Sequence, residues 1–346
     1  MEKTTKVSVG EKMKAILPVA GVGTRLKPHT HTVAKCLMNV AGRPILQHIL
    51  DELREYGIKE AVLIIGYLGD QIKEWALKTY PDMTFHFPVQ EELKGLGHAI
   101  LLAEPFIKDE PSLIIFGDTI FEGDIKEALK TKLDGTLGCK MVDDPRRWGV
   151  VEMEGDLVVK LVEKPDYIKT MPAMVGLNVV NNSRMMFDAI RELIEKDIKT
   201  RGEYQLTDAF QIMVDKGAKL GMFKVNGWFD CGKPETLFAT NKYILNKRGG
   251  HFKERKNVVI IPPVWIDDSV KITDSVIGPY VTVDKNSVIK DAIIKNSIVA
   301  SDAKISYQVL TNSLVGDFAE VRGHFSVLNV GDSSQVMTTD TFLKTE

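Results

Sequence analysis

At 346 residues, with 44% hydrophobic and 27% charged side chains, the sequence has ordinary globular composition and more length than one core usually fills, so two domains are expected. A formal net charge of −2 lacks the basic excess that phosphate contacts demand of a nucleic-acid binder. No apolar run reaches the ~20 residues of a membrane span, and "MEKTTKVSVGEKMK" lacks a signal peptide's apolar segment; a cytoplasmic protein with no nucleic-acid or membrane partner is expected.

Residues 1–12 read as a loose N-terminal extension, with Met13 standing just before the first strand. From there to 247 short apolar runs alternate with amphipathic stretches: "KAILPVA", "RPILQHILDELREYG", "EAVLIIGY", "DQIKEWALKTY", "SLIIFGD", "DIKEALKTKL" and onward to "AMVGLNVV". Continuous β-branched runs between helical patterns predict a mixed, mainly parallel sheet buried on both faces, a three-layer α/β domain of Rossmann-like type. Ligands of such sheets collect at the carboxyl ends of strands. After "NKRGGHFKERKN", a polar connector, the rhythm changes. Apolar residues such as Val264, Ile266, Val270, Ile272, Val281 and Val283 recur every five or six positions, with turn tripeptides "DSV", "NSV", "NSI" and "NSL" between them. That spacing predicts a β-helical solenoid of roughly four coils over 256–330, followed by a tail at 331–346. Cys36, Cys139 and Cys231 are far apart and odd in number, which predicts reduced thiols and neither a disulfide framework nor a zinc site.

The first strand opens into "AILPVAGVGTRLKPHTHTVAK". Its glycines do not complete a dinucleotide fingerprint, because Leu26 stands where the third glycine belongs, and no lysine sits at P-loop spacing. Gly21 and Gly23 can expose backbone N–H groups to an anion, and Thr24, Arg25 and Lys35 add a hydroxyl and two cations. Residues 20–44, "AGVGTRLKPHTHTVAKCLMNVAGRP", resemble the opening signature of the sugar-1-phosphate nucleotidyltransferases. "PVQEELKGLGHAI", "FGDTIF", "WGVVE", "VEKP", "EYQLTDAF" and "GWFDCGKPETLFATNKYIL" follow in that family's order, and the solenoid tail is similar to its long thymidylyltransferase branch, whose β-helix is left-handed.

The resemblance implies a Mg²⁺-dependent reaction in which a nucleoside triphosphate, dTTP first, meets glucose 1-phosphate and pyrophosphate leaves. Its nucleophile is an already ionised phosphate oxygen, so alignment and charge neutralisation suffice and no nucleophilic triad is needed. It also implies roles. Asp118 and Asp230 would hold the metal, which needs only one or two carboxylates. Arg25 would grip the triphosphate and Lys35 would bridge the α-phosphate and the sugar phosphate. Gly21, Gly23 and Thr24 would cradle phosphate, while Gln90 and Gly95 would read the base. On the sugar side stand Glu163, Lys164, Gly149 and Val175, with Thr119 where the family often carries asparagine. His29, His31 and His98 are expected to be ordinary loop residues. UTP or GTP remains the competing donor, and a non-catalytic homologue the competing class. A solenoid acyltransferase would need a well-placed histidine, and 256–330 offers only His324. The solenoid is therefore expected to serve assembly or regulation, and the protein to be a homo-oligomer.

Overall fold

The computed structural model describes residues 13–123 and 125–323. The expected extension at 1–12, the tail at 331–346, and His324 with the last stretch of the expected solenoid lie outside these residues.

One nine-stranded sheet organises the first domain. Its strands in chain order are β1 (Lys14–Pro18), β2 (Glu60–Ile64), β3 (Thr84–His86), β4 (Ser112–Ile115), β5 (Gly135–Val142), β6 (Gly149–Glu154), β7 (Leu157–Glu163), β8 (Met171–Val180) and β9 (Leu220–Lys224). The spatial order is β7-β6-β8-β4-β1-β2-β3, with β5 pairing β8 and β9 beside it. The N-terminal strands are parallel, β1 lying between β2 and β4 with β3 on β2, and β9 is parallel to β5. β8 runs antiparallel to β4, β5 and β6, and β6 and β7 form an antiparallel pair. The sheet is thus mixed.

Alternation along the buried strands sets the layers. Ala15 and Leu17 of β1 face a core that includes Leu46, Leu50 and Leu53 of helix α1 (Ile45–Glu55) and Ile72 of α2 (Gly69–Thr79). Ile16 faces the opposite core, with Ile100 of α3 (Leu96–Leu101), Phe187 of α4 (Ser183–Glu195) and Phe210 of α5 (Leu206–Asp215). Both faces of the sheet are covered, which is why these strands read as unbroken apolar runs. Because β1 and β4 are parallel neighbours, the glycine loop after one and the Gly117–Asp118 loop after the other emerge side by side. Gly117 is required there, since a Cβ would stand 2.2 Å from Val19 Cγ1.

The last helix, α6 (Pro234–Arg248), leads into the β-helix. Its strands all pair in parallel and form three sides. The turn tripeptides explain themselves in the structure. Asp274, Asn286, Asn296 and Asn312 take the left-handed corner at φ 49, 60, 44 and 50°, which short Asx side chains tolerate best after glycine. The serines that follow the first three of these corners, Ser275, Ser287 and Ser297, turn inward. Ser275 Oγ donates to Thr273 O at 2.7 Å and accepts from the Ala292 N–H at 3.1 Å, 17 residues on. Ser287 and Ser297 accept in the same way from Ala303 and Ser313, 16 residues on. Each buried serine stitches its coil to the next, so the coil is 16–17 residues long.

One side of the β-helix docks on the first domain. A Cβ on Gly42 would lie 2.0 Å from the Trp265 ring. Asn241 of α6 accepts from the Ala41 N–H (2.8 Å) and from Thr282 Oγ1 (2.7 Å), and it donates to Tyr280 O. Asn39 donates to Asp284, and Ile298 joins the main core with Leu314 packed against it. Nearby, His48 is buried neutral between Val40 O and the Arg248 guanidinium, its pKa pushed down to about 4 by burial first.

Candidate active site

The loop after β1 and the loop after β4 enclose a cleft of about 270 Å³ lined by Gly21, Gly23, Thr24, Arg25, Lys35, Cys36, Leu96, Asp118 and Gly232, among others. Gly21 faces open space, and Gly23 adopts φ 69° so that Thr30 can donate to its carbonyl at 2.8 Å. That turn starts the 3₁₀ segment Thr24–Leu26 and presents Arg25. Lys35 lies in a second 3₁₀ segment, Lys35–Leu37, and its ammonium reaches Asp118 Oδ2 at 2.5 Å.

Asp118 is wrapped by protein yet leaves 37% of its side chain open to the cleft. Burial alone would raise its pKa. The Lys35 ammonium, the hydrogen bonds from Lys35 and Thr119 and a backbone hydrogen bond outweigh burial and hold the carboxyl below its ordinary range. Asp230 arrives from a distant part of the chain. The strand Gly227–Asp230 pairs antiparallel with Thr119–Glu122, which sets Asp230 opposite Thr119, and the Cys231 N–H donates to Asp118 O at 2.9 Å. A Cβ on Gly232 would meet both Arg25 Nη2 and Asp230 Oδ1 at 2.7 Å, so cation and carboxylate converge there. A carboxylate, a guanidinium, an ammonium and glycine N–H groups on one cleft, with the Asp230 carboxylate beside Gly232 at its edge, can bind and neutralise a polyphosphate. Their oxygen-only donor pair fits Mg²⁺ and suits softer metals poorly.

Thr119, expected on the sugar side, is buried, and its hydroxyl donates to Asp118 Oδ1 at 3.1 Å, which helps to orient that carboxylate. Gln90 is buried and its amide donates weakly to Gly95 O at 3.4 Å, with Leu96 the next residue in the cleft wall. Gly95 has φ 111°, and a Cβ there would sit 2.6 Å from Tyr204 O. Of the residues expected on the sugar side, Gly149, Glu163 and Lys164 cluster. Gly149 pairs with Glu163 across β6 and β7; Glu163 accepts from Thr207 Oγ1 at 2.7 Å and its other oxygen lies 3.4 Å from Lys164 Nζ. Val175 falls in an irregular stretch of β8 where the register with β5 shifts, and the neighbouring Gly176 O accepts from the Phe116 N–H at 3.0 Å.

Tyr204 and Thr207 carry roles that motif reading left unassigned, although both lie in "EYQLTDAF". Trp148 and Trp228 were missed as well; their rings meet edge-on at 4.4 Å and, with Arg147, Asp230 and Lys233, line a neighbouring hollow of about 260 Å³. The three cysteines are unpaired and buried, and burial pushes each thiol up to about 12. Among the described residues no group of three or more His, Cys, Asp or Glu side chains gathers as a metal cluster.

Residues 14–247 match the nucleotidyl transferase family, more than half of the chain and every residue named in the cleft. The chain belongs to this family. A bifunctional protein GlmU of Methanocaldococcus jannaschii is 35% identical over 332 residues, covering 88% of this chain and 78% of the relative. A glucose-1-phosphate thymidylyltransferase of Streptomyces griseus is 28% identical over 362 residues, covering 93% and 99%. Among solved structures, a putative glucose-1-phosphate thymidylyltransferase from Bacillus anthracis in complex with a sucrose superposes with a TM-score of 0.59 at 27% identity, covering 70% of this chain and 98% of its own. This nucleotidyltransferase is therefore a sugar-1-phosphate nucleotidyltransferase.

The roles expected of these residues separate phosphate contacts from base contacts. Arg25→Ala and Lys35→Ala are expected to damage all nucleoside triphosphates alike, because phosphates carry no base information. Gln90→Ala should instead change the ranking among dTTP, UTP and GTP by ~1 kcal/mol or more, the scale of a lost buried hydrogen bond. Competition assays with the three nucleotides check this, and an unchanged ranking makes Gln90 a support for the Gly95 loop only.

Proposed function

We propose that this nucleotidyltransferase joins dTTP to glucose 1-phosphate with Mg²⁺ and releases pyrophosphate. The observation that carries the reading is the convergence of Arg25, Lys35 and Asp118 on one glycine-walled cleft, with Asp230 beside Gly232 at its edge. The dTTP and glucose assignment rests on the thymidylyltransferase relative that aligns over 93% of this chain and 99% of its own length.

In this reading a sugar-phosphate oxygen forms a bond to the α-phosphorus, and the bond to the β-phosphate bridging oxygen breaks. Gly21, Gly23 and Thr24 hold the triphosphate, and Arg25 neutralises charge growing on the departing pyrophosphate. Lys35, fixed by its ion pair with Asp118, stands to draw the two reacting phosphates together against their mutual repulsion. Asp118 and Asp230 hold Mg²⁺, which supplies Lewis-acid stabilisation when bound. Glu163, kept in place by Thr207, accepts from sugar hydroxyls beside the backbone of Gly149.

The test is a panel of nucleoside triphosphates against sugar 1-phosphates, read as pyrophosphate release, with chelation as control. Fastest turnover with dTTP and glucose 1-phosphate, abolished by chelator, is expected. A preference for UTP or GTP reassigns the donor, and no turnover on any pair favours a non-catalytic homologue.

A further inference from the structure

The signature loop carries Arg25 and Lys35 ten residues apart, and its own turns tie only part of it. His31, Thr32 and Val33 donate back to Pro28 and His29, and Leu37 donates to Ala34 O. The carbonyls of His31 and Thr32 and the Ala34 N–H, just before Lys35, take no part in those turns. Two side chains at and just before the start of α2 reach all three. Tyr67 Oη donates to His31 O at 3.0 Å. Gln71 Nε2 donates to Thr32 O at 2.8 Å, and Gln71 Oε1 accepts from the Ala34 N–H at 3.3 Å. Only one orientation of the carboxamide serves both partners. The side chain thus meets the loop as a neighbouring strand would, with donor on carbonyl and acceptor on N–H.

The support behind these two side chains is firm. β2 lies parallel beside β1, so the loops that follow them emerge together, and a Cβ on Gly66 would stand 2.9 Å from Ala20 Cβ. Ile72 and Ala76 anchor α2 in the main core. Gln71 itself is exposed, where a hydrogen bond exchanged for water adds little stability. What it supplies is position. An ammonium on a flexible stem is placed only as well as its backbone, and Lys35 follows directly on the residue that Gln71 holds. We propose that Gln71 is a positioning residue for nucleotidyl transfer, fixing the approach to Lys35 so that its ammonium stays at Asp118, with Tyr67 as a second tether. The inference rests on the phosphate-bridging role proposed for Lys35. A cation held in place before two phosphates arrive need not be ordered during the reaction.

Kinetics and hydrogen exchange on the full chain test it. Gln71→Met keeps the length of the side chain and removes both hydrogen bonds. It is expected to lower kcat/KM about tenfold, within what misplacing a catalytic group costs, while the thermal midpoint moves by less than about 2 °C. Tyr67→Phe, which loses one tether, should cost about threefold. In protein that already carries Lys35→Ala, Gln71→Met should change kcat/KM by less than about twofold, because the group it positions is gone. Backbone exchange across residues 29–37, read by mass spectrometry, should quicken in Gln71→Met. It should stay at the wild-type rate in Glu74→Met, an exposed neighbour on the same helix whose turnover should also be unchanged. Near-normal turnover in Lys35→Ala overturns the reading of Lys35 on which the inference stands. Unchanged turnover or exchange in Gln71→Met, beside a damaged Lys35→Ala, overturns the inference alone. A tenfold loss that persists undiminished in the Lys35→Ala background makes Gln71 merely structural and overturns it as well.

Discussion

Asp118→Asn and Asp230→Asn are each expected to lower kcat by at least about a hundredfold, the scale on which a preorganised charge or metal contact is lost from a transition state. The substitutions are isosteric and leave the backbone rung between Gly227–Asp230 and Thr119–Glu122 in place, so charge is what changes. The two variants should still differ. Asp118 is the ionic partner of Lys35 at 2.5 Å, so its replacement also frees the ammonium, and KM should move with kcat. Asp230→Asn leaves that pair intact, and its loss should fall on kcat. The acid dependence has a fixed sign. Asp118 titrates below its unfolded value, so the stability it contributes is present above the ordinary carboxylate range and is lost as pH falls through the lowered value. An activity limb near neutrality must then belong to another group, substrate phosphate included. Steady-state kinetics with both variants decides the matter, and near-normal turnover in either makes that carboxylate structural.

Much of this was legible because two periodicities are written plainly. Runs such as "AILPVA" and "SLIIF" have no polar face to hide, and a strand of that kind needs cover on both sides. The solenoid was legible because Asx–Ser pairs recur among its corners at a spacing no sandwich uses. The antiparallel half of the sheet was less so. "GVVEMEGDLVVKLVEKP" is apolar enough to pass for buried parallel strands, whereas Gly149–Glu154 and Leu157–Glu163 turn back on one another.

Within the site, residues expected to touch a ligand lie in short motifs, but those that hold them in place come from elsewhere in the chain. Thr207 steadies Glu163 from 44 residues away, and Tyr204 backs Gly95 across the fold. No local spacing announces such partners. Thr119 shows a contact that no motif announces: its hydroxyl donates to Asp118, the residue before it in the chain.

Ending the chain at Arg255 is expected to lower the thermal midpoint by at least about 10 °C while leaving every residue assigned to phosphate, base and sugar present. Trp265, Ile298 and Leu314 all pack on the first domain. At ~1.5–3 kcal/mol for each large side chain, their loss approaches the ~5–15 kcal/mol that holds a whole domain together. At ~2–4 °C per kcal/mol in a domain of this size, the shift follows. Asn241 would also lose Thr282 and Tyr280, and Asn39 would lose Asp284. The effect should reach the chemistry. Pro28, His29, Val33 and Leu37 of the signature loop line a cleft of about 730 Å³ whose far wall is the β-helix, and the same loop carries Arg25 and Lys35 on its other face. Removing that wall loosens the two cations, so KM for the nucleotide should rise more than kcat falls. Trp265→Ala and Leu314→Ala in the full chain should give smaller shifts in the same direction, which separates loss of docking from loss of folding. Calorimetry and steady-state kinetics read both effects. An unshifted midpoint without residues 256–346 would mean that the first domain carries its own stability and the docked column contributes none.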